Sequence, residues 1–235
     1  MQDFSQAFVQ AFALIWQADS TLVDIIALSL QVTFTAVSIA CLIGFPMGAA
    51  LAIGRFPGRM ILVVFLNSLM GLPPVVVGLV IYLFLSAAGP FGFLQLLYTP
   101  TAMVIAQVVL VTPIVAALAR QVIEDLYGEY DDMLRAMNAS RIQTITTLIV
   151  DARYSLLTSA LAGLGRALAE VGAVIIVGGN IANVTRVMTT TIALETSKGE
   201  LALALGLGII LIVLSIVINA TLFLLKTSAQ RRAYA

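Results

Sequence analysis

Long apolar stretches alternate with short polar ones along this chain of 235 residues. Five of these stretches hold almost no charged residue and cover residues 25–53, 60–88, 100–119, 154–178 and 201–225. Because about 20 mostly apolar helical residues cross roughly 30 Å of hydrocarbon, each stretch is long enough to span a bilayer. A helix satisfies its own backbone hydrogen bonds in lipid, and no alternation typical of a barrel occurs. We therefore expect five transmembrane helices.

The composition also indicates a membrane protein. Apolar residues make up 61% of the chain and charged residues only 10%, whereas about 25% charged residues would be usual in a soluble domain. Of the 12 basic and 12 acidic residues, ten lie within residues 120–153. We expect one all-α integral membrane domain, residues 1–235, with a single polar working loop at residues 120–153.

The distribution of basic residues predicts the orientation in the membrane. If five helices alternate, nine Lys and Arg side chains fall on one side, and only Arg186 and Lys198 fall on the other. The side richer in Lys and Arg is usually cytoplasmic. We expect a multi-pass protein of the cell inner membrane, with its N-terminus outside and with residues 120–153 and its C-terminus in the cytoplasm.

The N-terminal residues predict a short amphipathic helix rather than a secretion signal, because they carry Asp3 instead of a basic stretch. Apolar residues recur at helical spacing between Phe4 and Trp16, and Trp16 suits the membrane interface. This helix either lies on the outer membrane surface or packs on the helix bundle, and the pattern favours neither placement.

Several chemistries are unsupported by the residue types. The chain has no His and one Cys, Cys41, which lies inside an apolar stretch. We therefore expect no catalytic residues, no metal site and no disulfide chemistry. Neither Lys198 nor Lys226 belongs to a glycine-rich phosphate-binding loop, so this chain does not hydrolyse ATP by itself. Residues 120–153 hold six acids against four Arg, a balance that argues against nucleic acid binding.

The polar loop contains a predicted helix, tight turn and helix. Tyr130, Met133, Leu134 and Met137 follow the i, i+3, i+4, i+7 spacing of a short amphipathic helix. Asn138 accepts the left-handed conformation that ends a helix. Ser140, with Gln143 three residues later, is typical of a capping box. A solvated connector is the alternative, but caps combined with an apolar face favour a helix that docks into a partner's groove.

This loop resembles the cytoplasmic coupling loop in the membrane subunits of ABC importers. That family carries Glu-Ala-Ala, three further residues and Gly. The matching positions here hold Asp132, Met133, Leu134, Asn138, Ala139 and Ser140. Asp, Met, Leu and Asn replace the family's residues, and Asp151 stands where many members have Pro. The resemblance implies that the contact with the ATPase is made by a set of seven residues: Asp132, Met133, Arg135, Met137, Asn138, Ala139 and Ser140.

Three further stretches resemble the permease subunits of tungstate importers, which are close kin of the molybdate permeases. They read NSLMGLPPVVVGLVIYLFLSAAGPFG, TPTAMVIAQ and GRALAEVGAVIIVGGNIANVTRVMTTTIALETSKGE. The resemblance implies a type I ABC importer permease fold and an oxyanion substrate: tungstate, with molybdate as the alternative and vanadate or sulfate behind it. It also implies a homodimer, two ATPase subunits that bind ATP and Mg, and an extracytoplasmic oxyanion-binding protein.

Two polar features inside the fourth and second apolar stretches are candidates for the substrate pathway. Arg166 and Glu170 lie four residues apart, on one face of a predicted helix. Because an isolated Arg at this depth costs at least about 2.5 kcal/mol, the two side chains either line a cavity or form a structural pair at the dimer interface. Pro73 and Pro74 interrupt the second stretch, which suits a gate or close packing.

The outer segment after Gly178 is rich in hydrogen-bond donors. Asn180, Thr185, Arg186 and Thr189 offer N–H and O–H groups of the kind that a tetrahedral dianion requires. A solvated surface loop and a docking site for the binding protein remain alternatives.

Two rival classes make different demands on the sequence. An ion-coupled secondary transporter would use Arg166 and Glu170 as coupling groups, but it predicts inverted repeats, and none is visible. An integral membrane enzyme would need Asp, Glu and His clusters at the bilayer edge, and the sequence holds none.

Overall fold

The computed structural model describes residues 8–11, 13, 16 and 20–233. Within these residues the chain is helical and contains no strand, which confirms the all-α prediction. The amphipathic helix predicted between Phe4 and Trp16 lies largely outside the described residues.

Nine α-helices follow one another in residues 20–233. They are α1 (Ser20–Ile53), α2 (Arg59–Leu69), α3 (Pro74–Leu85), α4 (Pro100–Ala136), α5 (Arg141–Asp151), α6 (Arg153–Leu168), α7 (Gly172–Gly178), α8 (Met188–Lys198) and α9 (Leu201–Ala233). Three of them, α1, α4 and α9, are long and apolar enough to cross a membrane. The number of candidate spans rises to five if α2 with α3, and α6 with α7, each count as one broken span.

Two of the apolar stretches form broken helices. The interruption expected at Pro73 and Pro74 in the second stretch is present, whereas the fourth stretch was expected to carry Arg166 and Glu170 on one helix and does not. The second stretch breaks between Leu69 and Pro74 because two successive prolines remove backbone donors; Pro74 then starts α3 at its first position, where a missing N–H is tolerated. The fourth stretch breaks after Leu168. There, the Glu170 carboxylate accepts a hydrogen bond from the Ala173 N–H at 3.0 Å and so caps α7.

The prediction of a separate short helix from Tyr130 is wrong, because this segment is the end of α4. That helix runs for 37 residues, from Pro100 to Ala136. Its buried side continues past the apolar stretch through Ile123 to Leu134. Oppositely charged residues four apart, Arg120 with Glu124 and Asp131 with Arg135, support helix in the polar half.

The chain forms two compact units, each built from three stretches of sequence. The first unit comprises the N-terminal stretch up to Ala36, Pro73–Gln107 and Ala167–Ile218. Leu22 and Ile25 pack there against Met188 and Leu207. A Cβ added at Gly78 of α3 would lie 2.7 Å from the Cα of Ala173, so α3 and α7 touch backbone to backbone.

The second unit comprises Val37–Leu72, Val108–Arg166 and the stretch from Asn219 onward. Its largest core joins α1, α4, α5 and α6. That core contains Ala49, Ala52, Ala119, Ile123, Leu134, Leu148, Ala152 and Leu156. Small residues allow α1 to approach α4 closely, since a Cβ at Gly48 would lie 2.5 Å from the carbonyl oxygen of Ala116. The helices that carry the charged residues of the polar loop are therefore packed together through this buried core.

Candidate functional site

The turn between α4 and α5 has the geometry that its sequence predicts. Asn138 adopts the left-handed conformation with a φ of 50°. The N–H groups of Asn138 and Ala139 donate to the carbonyls of Arg135 and Leu134 at 2.9 and 3.0 Å, which closes the end of α4. Ser140 and Gln143 form the predicted capping box at the start of α5. The predicted turn between two helices is confirmed.

Three large apolar side chains flank this turn without being covered. Met133 is 50% exposed, Met137 71% and Ile142 78%. We call these three residues the apolar turn surface. Leu134 and Leu148 point the other way and are buried in the core below. Ile142 was not predicted from the sequence, because the helical spacing that identified Met133 and Met137 ends at the turn.

A network of ion pairs holds the loop between α1 and α2 against α4. Asp131 accepts hydrogen bonds from Arg55 at 3.0 Å and from Arg135 at 2.7 and 2.8 Å. The hydrogen bond with Tyr127, together with Arg135, holds the pKa of the Asp131 carboxyl below its usual range. The same hydrogen bond raises the pKa of the Tyr127 hydroxyl. These contacts therefore favour the ionised form of Asp131.

Glu124, seven residues before Asp131, carries a second set of pairs. It binds Arg59 at 2.6 Å and also binds Arg120. Arg59 additionally donates to the carbonyls of Leu51 and Ala52 at the end of α1, at 2.8 and 3.4 Å. Since exposed ion pairs contribute only about 0–1 kcal/mol each, this network orients the loop more than it stabilises the fold. Sequence reasoning missed it, although the i, i+4 spacing along α4 was the available signal.

Most of the donors predicted in the outer segment are already used to fold that segment. The Asn180 amide donates to the Thr190 carbonyl at 3.3 Å, and the Thr190 hydroxyl donates back to Asn180 at 2.9 Å. The Thr185 hydroxyl donates to the Gly178 carbonyl at 2.5 Å and accepts from the N–H of Ile181 at 2.9 Å. These contacts fix the course of residues 178–190.

The Thr189 hydroxyl, another predicted donor, points back toward the helix break. It donates to the backbone carbonyl of Glu170 at 2.8 Å. Thr189 therefore joins α8 to the residues just before α7, and its donor is not available to a ligand while this contact lasts.

Arg186 is the exception among the predicted donors. Its Nε–H is buried and has no hydrogen-bond partner in the described part of the chain. The side chain lines a cleft of about 410 Å³ in the first unit. We call this the Arg186 cleft, and its other polar residues include Asp24 and Gln31 of α1 together with Asn183. These three residues were not singled out from the sequence: Asp24 and Gln31 are isolated polar residues among apolar ones, and Asn183 lies among the donors of the outer segment without a signal of its own.

The remaining predicted residues lie at the two helix breaks. Glu170 is only 3% exposed and lies beyond the end of α6, so the expectation that it shares a helix face with Arg166 is wrong. Arg166 is half-buried in the last turn of α6. Pro73 and Pro74 lie at the start of α3 and begin that helix instead of kinking one. A role for these four residues in the pathway stays a prediction.

A small cavity beside Glu170 contains a further polar residue that sequence reasoning missed. The Gln107 amide donates to the carbonyl of Ala167 at 3.2 Å, while its buried Oε1 has no partner among the described residues. This orientation of the amide follows from the contact, because a carbonyl can only accept. Ser29 and Thr189 line the same cavity, which has room for about one water molecule.

Comparison with known proteins identifies the class. The family of binding-protein-dependent transport system inner membrane components matches residues 40–233. The chain belongs to this family. The resemblance drawn from the sequence motifs is thereby confirmed, and the protein is a multi-pass membrane permease subunit, a class that is not itself enzymatic.

Three relatives of this permease extend the match along almost the whole chain. The tungstate uptake system permease protein of Peptoclostridium acidaminophilum is 38% identical over 96% of this chain and 99% of its own length. A probable anion ABC transporter permease protein of Haloferax volcanii is 36% identical over 85% of this chain and 88% of its own. The tungstate uptake system permease protein of Campylobacter jejuni is 34% identical over 90% and 89%.

Proposed function

We propose that this permease is the membrane subunit of an ATP-driven oxyanion importer and that tungstate is the transported ion. The observation that carries the proposal is the similarity, over nearly the full length, to two tungstate uptake permeases. Molybdate is the second candidate because it is also a tetrahedral dianion, and the chain's motifs resemble those of the molybdate permeases; vanadate and sulfate follow it.

The proposed assembly contains two copies of this chain, two ATPase subunits that bind ATP and Mg, and an extracytoplasmic oxyanion-binding protein. The apolar turn surface supports the ATPase contact. Fully burying a Met or Ile side chain contributes about 1.5–3 kcal/mol, so Met133, Met137 and Ile142 together can anchor a partner. Asp132 and Arg135 are exposed beside them and would give the contact its polar rim.

Movement of the ATPase subunits would reach the membrane helices through the core beneath the turn. Leu134 and Leu148 lie in the same buried cluster as Ala49 of α1 and Leu156 of α6. Close-packed interiors transmit displacements instead of absorbing them. A push on the turn is therefore passed to α1, α4 and α6 together.

The substrate class can be tested in cells that lack this chain. We expect the deletion to abolish high-affinity uptake of radiolabelled tungstate, and expression of the wild-type chain to restore it. Uptake of molybdate and of sulfate is measured in the same strains. If the deletion reduces molybdate or sulfate uptake and leaves tungstate uptake intact, the assignment of tungstate as the substrate is wrong. If no oxyanion uptake changes, the importer proposal itself fails.

A further inference from the structure

Helix α1 carries an exposed polar face within an apolar helix. Asp24 and Gln31 are both exposed and lie seven residues apart, hence on one side of the helix. Gln31 lies about 16 Å along the helix from Ser20, at 1.5 Å per residue, well inside a stretch long enough to span a membrane. Carboxylates and amides are disfavoured against lipid, so this face borders a polar or water-filled space.

The Arg186 cleft brings that face of α1 together with an unsatisfied cation. A buried N–H without an acceptor is unfavourable, and more so when the donor is charged, so the Arg186 Nε–H needs an acceptor that the described residues do not supply. A guanidinium pairs two parallel N–H groups with two oxygens of an oxyanion. The amides of Gln31 and Asn183 in the same cleft can add further N–H donors.

Asp24 gives the cleft its second property. Its carboxylate lies in the same cleft as Arg186, yet the two do not form an ion pair within the described residues. Because the two formal charges cancel, the cleft attracts an anion through short-range hydrogen bonds without holding it by a large net positive charge. A site that must release its ligand onward needs this weak binding.

We infer that the Arg186 cleft is a transient binding subsite for the transported oxyanion, in which Arg186 contacts the anion and Asp24 limits the affinity. The inference rests on the proposed function. Of the four donors predicted from the sequence, Asn180, Thr185 and Thr189 hold the segment in place. The ligand contacts are therefore made by the fourth, Arg186, with Gln31 and Asn183.

The test is tungstate binding to the complete permease–ATPase complex in lipid nanodiscs, measured by equilibrium titration. We expect Arg186→Gln to weaken binding about tenfold or more, because a charge-assisted hydrogen bond is lost. Asp24→Asn should tighten binding several-fold, because it removes the repelling charge. Lys198→Gln is the matched control: it removes the other basic residue predicted on this side, which is paired with Glu195 at 3.0 Å, and should leave binding unchanged.

The two substitutions in the cleft are expected to change tungstate affinity in opposite directions, so a general loss of folding cannot produce the expected result. Equal affinities for Arg186→Gln and Lys198→Gln would overturn the inference, as would weaker binding in Asp24→Asn. So would an Arg186→Gln complex that keeps its tungstate affinity but no longer binds the oxyanion-binding protein, since the cleft would then be a docking site.

The proposed function is tested separately by uptake with the wild-type chain. A wild-type complex that transports tungstate but binds it independently of Arg186 contradicts only the subsite. A complex that binds tungstate through Arg186 but imports no oxyanion contradicts only the transport proposal.

Discussion

Asn138 is the residue on which the turn between α4 and α5 depends. Its φ of 50° lies in the left-handed region, where a β-branched side chain is strained and glycine is not. Ser140 then caps the next helix, with its hydroxyl 3.4 Å from the Gln143 N–H. Two residues with local conformational preferences thus set the direction in which the apolar turn surface faces.

Replacing Asn138 tests this dependence. Asn138→Gly should preserve ATPase association and tungstate uptake, because glycine adopts positive φ freely. Asn138→Val should destabilise the turn by about 1–2 kcal/mol and reduce association several-fold. Copurification of the ATPase with each variant measures the effect. Equal copurification of the two variants would show that the turn's conformation does not matter for docking.

Asn138 and Ser140 also show which single-residue features can be predicted from the sequence. Asn138 and Ser140 were predictable because their signals are local: a turn-competent residue and a cap with its partner three positions later. The hydrogen bond of Thr189, one of the predicted donors, was not predictable, because its acceptor, the carbonyl of Glu170, lies 19 residues away along the chain. Gln107 was missed for a similar reason, since only the folded chain shows that its Oε1 is left without a partner.

Among the helices of the first unit, α3 and α7 pack in close backbone contact. An added Cβ at Gly78 would lie 2.7 Å from the Cα of Ala173, a distance at which one of the two backbones must move. Gly172 meets Val75 of α3 in a similar way, with 2.9 Å between an added Cβ and the valine side chain. Glycine at these positions lets two short helices of the broken spans pack side by side.

Gly78→Ala should therefore destabilise the protein despite the better helix propensity of alanine. The overpacking loss of about 1–3 kcal/mol exceeds the gain of about 1 kcal/mol from propensity. Gly71→Ala is the control, because a Cβ there would meet only the Ser68 carbonyl oxygen at 3.6 Å. The thermal midpoint of the solubilised protein measures both. A midpoint for Gly78→Ala at or above that of Gly71→Ala would contradict the close packing.

The apolar turn surface makes a second prediction about helices. Met133→Asp combined with Met137→Asp should abolish ATPase association and tungstate uptake, because two desolvated apolar contacts become charged. Insertion and dimerisation should be normal, since both side chains are at least half exposed. Gly128→Asp serves as the control: it adds a charge on α4 where the added Cβ would meet no atom within 4 Å.

ATPase association that survives the double substitution would remove the turn from the interface. Loss of association in Gly128→Asp as well would show that added charge on α4, and not the loss of apolar contact, is responsible.

The helices themselves were only partly predictable. All five apolar stretches became helical because hydrophobicity and length are properties of single segments. The break before Pro74 was signalled by the proline pair. Nothing in the sequence showed that the helix would end fully there instead of bending. The break after Leu168 had none, since it is held by the Glu170 side chain reaching the Ala173 N–H. The continuation of α4 to Ala136 depended on core contacts of Leu134 that the charge pattern obscured.

For the whole molecule, the composition, the family match and the placement of the charges agree on a membrane permease subunit, which we propose works in an assembly with its partners. The chain has an exposed apolar turn surface and a cleft in which the Nε–H of Arg186 lacks a hydrogen-bond acceptor among the described residues. No group of three or more potential metal-ligating side chains occurs among the residues the structure describes. In the proposed assembly the energy for transport comes from the partner ATPase, and this is the central claim.

Transport of radiolabelled tungstate into proteoliposomes tests that claim most directly. The permease is reconstituted with its ATPase subunits, with Mg and ATP inside on the ATPase face and the oxyanion-binding protein on the opposite face. We predict accumulation of tungstate against its gradient on that inner side, which stops when ATP, the ATPase or the binding protein is omitted. Accumulation by the permease alone, driven by a sodium or proton gradient without ATP, would contradict the account and indicate a secondary transporter.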